Sequence, residues 1–98
     1  MKKAYRIKPS DNVAMLLEDT AAGETVSVAG TQGGNCDLRI ITVQAIPAGH
    51  KVALSDIEQN GKVFKYGAVI GAATVPVKAG EHVHVHNLGG LRGRGDRT

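Results

Sequence analysis

Apolar and polar residues alternate with a period of two through much of this chain. The pattern is clearest in a phrase that occurs three times: Ala-Gly, two polar or ionisable residues, then an apolar residue at every second position. Glycine adopts the positive φ of a tight turn without strain, and a period of two is typical of strands that bury one face. The copies begin at Ala22, Ala48 and Ala79, and each predicts a turn followed by a strand.

The segments between these phrases also favour strands. Residues 5–8 alternate between apolar and charged, 12–17 form a short apolar run, and 38–46 are rich in β-branched residues. Asn60-Gly61 is a dipeptide preferred in hairpin turns and predicts a further turn. Short helices are alternatives in 11–18 and 66–73. The pattern as a whole predicts a small all-β domain over residues 1–88.

The composition changes after that domain. Residues 89–98 are rich in glycine and arginine and have no apolar periodicity, so they predict a flexible tail. Arg92 and Arg94 in this tail are cations that can bind an anionic group of a substrate.

Composition and charge limit the remaining classes of function. The net charge is +3, but aromatic residues for base stacking are scarce, so we expect no nucleic-acid partner. A single cysteine, Cys36, fits a reducing compartment, and no signal sequence or membrane-spanning apolar run occurs. We expect a cytoplasmic protein without a membrane segment. A chain of 98 residues buries a modest core, which makes a homo-oligomer a reasonable expectation.

Three of the four histidines lie in one short stretch, where His82, His84 and His86 alternate with Val83 and Val85. On a strand the imidazoles would share one face and the valines would pack on the other. Imidazole is a common metal ligand and a proton carrier near neutral pH, and two neighbouring rings on a strand can converge on one ion. We predict His84 and His86 as acid–base or metal-binding residues and His82 as a surface residue. The alternative is a solvated or hydrogen-bonded face.

His50 and Lys51 follow the turn of the second phrase. If the three phrases lie in one sheet, these two side chains approach the histidine strand and are candidates for substrate binding. Alternatively, His50 caps its turn and Lys51 points into water.

Several short motifs follow one another in a characteristic order. They are Ile46-Pro47-Ala48-Gly49-His50-Lys51-Val52-Ala53-Leu54, Asp56-Ile57, Lys65-Tyr66-Gly67, Ile70-Gly71-Ala72, Gly80-Glu81-His82-Val83-His84 and His86-Asn87-Leu88. Over residues 46–96 the chain resembles the SAF-type domain of altronate and galactarate dehydratases. The resemblance implies a β-clip fold of bent hairpins, in an enzyme that removes water from a sugar acid with a divalent metal, iron or manganese.

In that family the domain either begins a long chain or forms a small subunit. The resemblance therefore implies that this chain is an accessory subunit, that a large catalytic subunit completes the active site, and that the substrate is a small anionic sugar acid. The small subunit of sulfolactate sulfo-lyase is similar too, with sulfite as the leaving group in place of water. A module that binds a metal or an acidic carbohydrate by itself is a further alternative.

Overall fold

The computed structural model describes residues 1–8, 10–30 and 38–90, which form strands and turns without a helix. The strands are β1 (Lys2–Arg6), β2 (Val13–Leu16), β3 (Thr25–Gly30), β4 (Leu38–Ile41), β5 (Lys51–Ala53), β6 (Lys62–Lys65), β7 (Ala68–Ala73), β8 (His82–Val83) and β9 (Leu88–Gly89). The expected all-β class is confirmed. The segments with a helical alternative contain β2 and β7 instead.

Six of these strands form one curled sheet, in the order β4-β3-β1-β2-β5-β8, and β6, β7 and β9 form a second sheet. β1 and β3 are parallel, whereas the other neighbouring strands are antiparallel. The two edges of the larger sheet meet, because the amide of Val43 after β4 donates to the carbonyl of Gly80 before β8 at 3.0 Å. The three repeated phrases lead into β3, β5 and β8 and thus share this sheet.

The turns of the chain lie in pairs in space. Antiparallel bridges join Thr20 to Ile46 and Ile57 to Val77. Each bridge residue stands two positions before a turn, so the bridges bring the turns together in pairs. The predicted turns at Ala22-Gly23, Ala48-Gly49 and Ala79-Gly80 are confirmed, and their glycines have φ values of 81°, 86° and 90°.

The fourth predicted turn lies one residue earlier than expected. It is formed by Gln59 and Asn60, and not by Asn60-Gly61. Asn60 takes the left-handed conformation with φ 70°, which asparagine tolerates better than most residues. Gly61 is needed for a different reason: a Cβ there would lie 2.8 Å from the carbonyl oxygen of Glu58.

The core consists of two aliphatic clusters that share β2 and β5. One contains Ala4, Ala14, Leu16, Val26, Val28, Ile46 and Val52. The other contains Val13, Ala53, Ile57, Val63, Ala73, Val77 and Val83. Adjacent residues of β5 enter different clusters, Val52 the first and Ala53 the second, so this strand is buried on both faces. This double burial holds β5 and its neighbour β8 in a defined register.

The hairpin that joins β6 to β7 is held from inside the domain. Its turn residues Tyr66 and Gly67 have φ values of 59° and 75°, both positive as in a type I′ turn. The buried carboxylate of Asp11 accepts hydrogen bonds from their two amides, at 3.0 and 2.8 Å, and from the amide of Lys8 at 3.1 Å. The Tyr66 side chain is 56% exposed, so it does not belong to the core of this chain.

In the described part of the chain, no helix is long and apolar enough to cross a membrane. Cys36 and residues 91–98 lie outside the described residues, so the flexible tail stays a prediction.

Candidate active site

Three histidines, His50, His82 and His84, meet at the edge of the larger sheet and are called the histidine trio below. The antiparallel register of β5 and β8 pairs Lys51 with Val83 and Val52 with His82. One step further along this register, His50 stands opposite His84. Directly opposed residues in antiparallel strands have close side chains, and diagonal neighbours such as His50 and His82 remain within reach for large rings.

The rings of the trio are in direct contact. Nδ1 of His50 lies 2.8 Å from Nε2 of His82, which is a hydrogen-bond distance. The rings of His50 and His84 stack with centroids 4.0 Å apart and an interplanar angle of 16°. One nitrogen from each ring lies within 4.8 Å of the other two. Because a neutral imidazole has one N–H and one acceptor nitrogen, His50 and His82 can share a single proton.

Two amide side chains fix the backbone that carries His82 and His84. Oε1 of Gln44 accepts a hydrogen bond from the amide of His82 at 2.8 Å. Asn87 is buried; its Oδ1 accepts from the amide of His84 at 3.0 Å, and its Nδ2 donates to the carbonyl of His82 at 2.8 Å. The two histidines are therefore held relative to each other by hydrogen bonds and not only by strand pairing.

The surroundings of His82 and His84 favour their neutral imidazole forms. Partial burial lowers the pKa of His82, and the neighbouring positive charges of His86, His50, His84 and Lys51 lower it further. The pKa of His84 is lowered by burial first and then by His50, Lys51 and His86. A neutral imidazole is the form that accepts a proton or binds a metal.

The strand predicted to carry three histidines is shorter than expected. β8 ends at Val83 and residues 84–87 form a bend and a turn. Val83 is buried as predicted, but Val85 is 80% exposed, so the prediction that both valines pack in the core is wrong. The reason is Asn87, whose side chain hydrogen-bonds to the backbone of this segment and curls the chain away from the sheet.

This turn changes which histidines meet. His84 lies with His50 and His82, while His86 is exposed and contacts the His82 ring at a centroid distance of 5.0 Å. His82, which the sequence assigned to the surface, is partly buried and touches the other three imidazoles. His50 approaches the histidine strand as predicted.

Lys51 points to the other side of β5, into a small pocket that we call the lysine pocket. It is lined by Tyr5, Ile7, Asp11, Val13, Ala14, Met15, Lys51, Lys65 and Tyr66. Burial lowers the pKa of Lys51, and the charge of Lys65 lowers it further. The ammonium of Lys65 also lies 4.9 Å from the centre of the Tyr66 ring. Two cations beside one pocket are suited to bind the carboxylate of an anionic ligand.

Sequence reasoning missed Gln44, Lys65 and Asn87 as residues of this region. The order of the motifs held a signal for two of them, because Lys65 stands in Lys65-Tyr66-Gly67 and Asn87 directly follows the histidine row. No local signal marks Gln44. Arg92 and Arg94, the other predicted substrate-binding residues, lie outside the described residues.

Fold and site together define a small curled β domain with basic side chains at one sheet edge. The family model of the altronate/galactarate dehydratase SAF domain matches residues 2–90. The chain therefore belongs to the altronate/galactarate dehydratase SAF domain family.

Similar curated proteins are enzymes or subunits of enzymes. Altronate dehydratase of Bacillus subtilis is 38% identical over 87 residues, which is 89% of this chain and 16% of that protein. Altronate dehydratase of Escherichia coli is 43% identical over 83 residues, 84% of this chain and 15% of that protein. The alpha subunit of (2R)-sulfolactate sulfo-lyase from Paracoccus pantotrophus is 42% identical over 53 residues, 54% of this chain and 79% of that subunit. The chain thus spans about one sixth of the altronate dehydratases that it matches.

Proposed function

We propose that this chain is an accessory subunit of a cytoplasmic sugar-acid dehydratase and that it supplies acid–base and substrate-binding groups to an active site completed by a large catalytic subunit. The observation that carries the proposal is the convergence of His50, His82 and His84 on one partly exposed face. Support comes from the altronate dehydratases, of which this chain matches about one sixth.

The geometry of the trio suits proton transfer in an elimination reaction. A base removes the proton from the carbon next to the carboxylate, the hydroxyl leaves the neighbouring carbon as water after taking up a proton, and a carbon–carbon double bond remains. A neutral imidazole of the trio can accept the first proton. The 2.8 Å contact between His50 and His82 lets that proton pass from ring to ring. A divalent metal, which the family resemblance implies, would supply Lewis-acid stabilisation of the enediolate.

An anionic group of the substrate would pair with Lys51, which lies on the other side of β5 from the trio. The pKa of Lys51 is lowered by burial and by Lys65, and an anion that neutralises one of the two ammonium groups removes that repulsion. Among the described residues, the salt bridges join Lys2 to Glu18 and Lys78 to Asp56, and none involves Lys51 or the trio. Arg92 and Arg94 remain predicted contributors to the same substrate.

The proposal is tested by reconstitution. The chain and a large dehydratase polypeptide from the same organism are purified separately and assayed with altronate and galactarate, alone and combined. We expect turnover only in the mixture. Substantial dehydration by the 98-residue chain alone would overturn the accessory role, and a mixture inactive on both acids would overturn the dehydratase function.

Histidine variants then test the site in the reconstituted enzyme. We expect His50→Ala, His82→Ala and His84→Ala to lower kcat/KM by about 100-fold or more, the scale of losing an acid–base group. His86→Ala is the matched control. The alternating sequence pattern predicts a large effect for His86, whereas its exposed position outside the trio predicts a small one, so this variant decides between the two predictions.

A second candidate function is that of the alpha subunit of a sulfolactate sulfo-lyase. The observation in its favour is that this chain covers 79% of the Paracoccus alpha subunit, whereas it covers 16% of the Bacillus altronate dehydratase. The same proton abstraction would then expel sulfite. Release of sulfite from (2R)-sulfolactate, measured beside water elimination from the sugar acids, separates the two functions.

A further inference from the structure

We propose that His50, His82 and His84 form a transition-metal site that this chain loads by itself, without a large subunit. The three ring nitrogens lie within 4.8 Å of one another. Two imidazole nitrogens on one tetrahedral zinc ion lie about 3.4 Å apart, because each bond is about 2.1 Å long. The widest pair therefore has to close by up to about 1.4 Å, which rotation of the partly exposed rings can provide.

The backbone of this site is already in place before any ion binds. The pairing of β5 with β8 sets His50 opposite His84, and the buried Asn87 holds His84 against His82. The facing nitrogens of His50 and His82 lie 2.8 Å apart, so one N–H can be shared between the two rings. A bound metal ion would take the place of that hydrogen between the rings.

The ligand set determines which ions the trio accepts. It offers imidazole nitrogens, and among the described residues no carboxylate forms a salt bridge with it. Imidazole suits zinc, copper, nickel and iron, whereas magnesium, calcium and manganese favour oxygen ligands. The nearby positive charge of Lys51 opposes every cation, so only ions with strong metal–imidazole bonds overcome it. Of the two metals implied by the family resemblance, this set fits iron and disfavours manganese.

The trio also leaves room for a fourth ligand. Its members are partly exposed, and His82 forms part of the wall of an open groove whose lining includes Thr20, Ile46 and the carboxylates of Asp19 and Glu24. Three protein ligands with an open position are the pattern of catalytic rather than structural metal sites. The site would therefore bind a water molecule or an oxygen atom of a ligand at its fourth position.

The experiment uses the untagged chain with Cys36→Ser, because a free thiol binds the same ions as imidazole. Zn²⁺, Co²⁺ and Mg²⁺ are titrated separately by calorimetry, and the Co²⁺ complex is followed by its visible absorption. We expect one Zn²⁺ or Co²⁺ per chain and no binding of Mg²⁺. His50→Ala, His82→Ala and His84→Ala should each weaken Zn²⁺ binding by at least about 10-fold, and His86→Ala should change it by less than about threefold.

Circular dichroism confirms that each variant is folded, and His→Gln variants at the same positions replace any alanine variant that is not. The proposal is overturned if wild-type chain binds no Zn²⁺, if Mg²⁺ binds as tightly, or if His86→Ala weakens binding as much as the trio variants do. The test needs neither a large subunit nor a substrate. Failure to bind metal would therefore leave the proposed lyase function standing, and failure of reconstitution would leave the metal site standing.

Discussion

Asn87 is the residue whose loss should show most directly how the fold supports the site. In Asn87→Ala the amide of His84 loses its acceptor and the carbonyl of His82 loses its donor. Asn87 is 5% exposed, so water reaches these groups poorly in the variant. The strand–turn geometry from 82 to 87 then loses the side chain that joins the backbone of His84 to that of His82.

The size of the effect follows from these two hydrogen bonds. A typical hydrogen bond contributes about 0.5–1.5 kcal/mol, and a buried group left without a partner costs about 1–3 kcal/mol. Because His82 and His84 are themselves partly exposed, we expect a loss between these limits, roughly 2–4 kcal/mol in total. For a domain of this size that loss lowers Tm by roughly 10–25 °C.

Thermal and urea unfolding followed by circular dichroism measure this loss, and Zn²⁺ titration measures its consequence for the trio. We expect Asn87→Ala to weaken Zn²⁺ binding by about 10- to 100-fold, as for other residues that orient metal ligands.

Asn12→Ala is the matched control. The Asn12 side chain also joins two backbone groups, donating to the carbonyl of Lys62 at 3.0 Å and accepting from the amide of Phe64 at 2.8 Å. Because Asn12 is only half-buried, this variant should lose somewhat less stability than Asn87→Ala, without changing Zn²⁺ affinity. Wild-type stability in Asn87→Ala, or equal effects of both variants on Zn²⁺ binding, would refute the reasoning.

Three further predictions concern backbone strain and charge. Gly80→Ala should leave little folded protein, because its Cβ would collide with the carbonyl oxygen of the last residue of β4. Gly23→Ala has open space around its Cβ and φ +81°, so it should lower stability by only about 1 kcal/mol. Far-UV circular dichroism compares the two variants, and equal losses of folded protein would contradict the predicted collision. Tyr66→Gly should raise Tm, because Tyr66 has φ 59° in a turn that prefers glycine, and an unchanged or lower Tm would show that the ring contributes more than the strain removes. In metal-free chain the pKa values of His82 and His84 are lowered by folding, so the unfolded state binds more protons than the folded state. The free energy of unfolding should therefore fall as pH drops below 6.5 and level off once pH is below the lowered folded-state pKa values. Urea unfolding from about pH 8 to about pH 5 should show a smaller fall in His82→Gln than in wild type, and an equal fall would contradict the assignment.

Local features of the sequence were sufficient to predict most of the fold. Each Ala-Gly turn depends on the freedom of one glycine to adopt a positive φ, and each strand on a period of two, so both can be recognised within a few residues. The turn near Asn60 was placed one residue too late because two adjacent residues could each take the left-handed position. Asparagine takes it, and Gly61 is reserved for a close backbone approach.

The site was predicted less completely, for a reason that involves distance along the chain. Alternation correctly indicated that His84 has an imidazole neighbour two residues away, but it could not show that β8 ends at Val83. That end depends on the Asn87 side chain, which hydrogen-bonds the backbone in place of a neighbouring strand. The sequence pattern therefore predicted His86 as a partner of His84 in the site, whereas in the structure that partner is the partly buried ring of His82.

By itself, the sequence determined that this is an all-β chain and that three of its turns lie at Gly23, Gly49 and Gly80, and it predicted His84 and His86 as the residues that carry protons or bind a metal. It also determined the family, through the order of its motifs. Only the tertiary structure decided which imidazoles meet, because His50 and His82 are 32 residues apart and come together through the register between β5 and β8. That register depends on burying Val52, Ala53 and Val83 in two separate clusters. Such burial depends on the packing of the whole domain and cannot be predicted from any short segment of the chain.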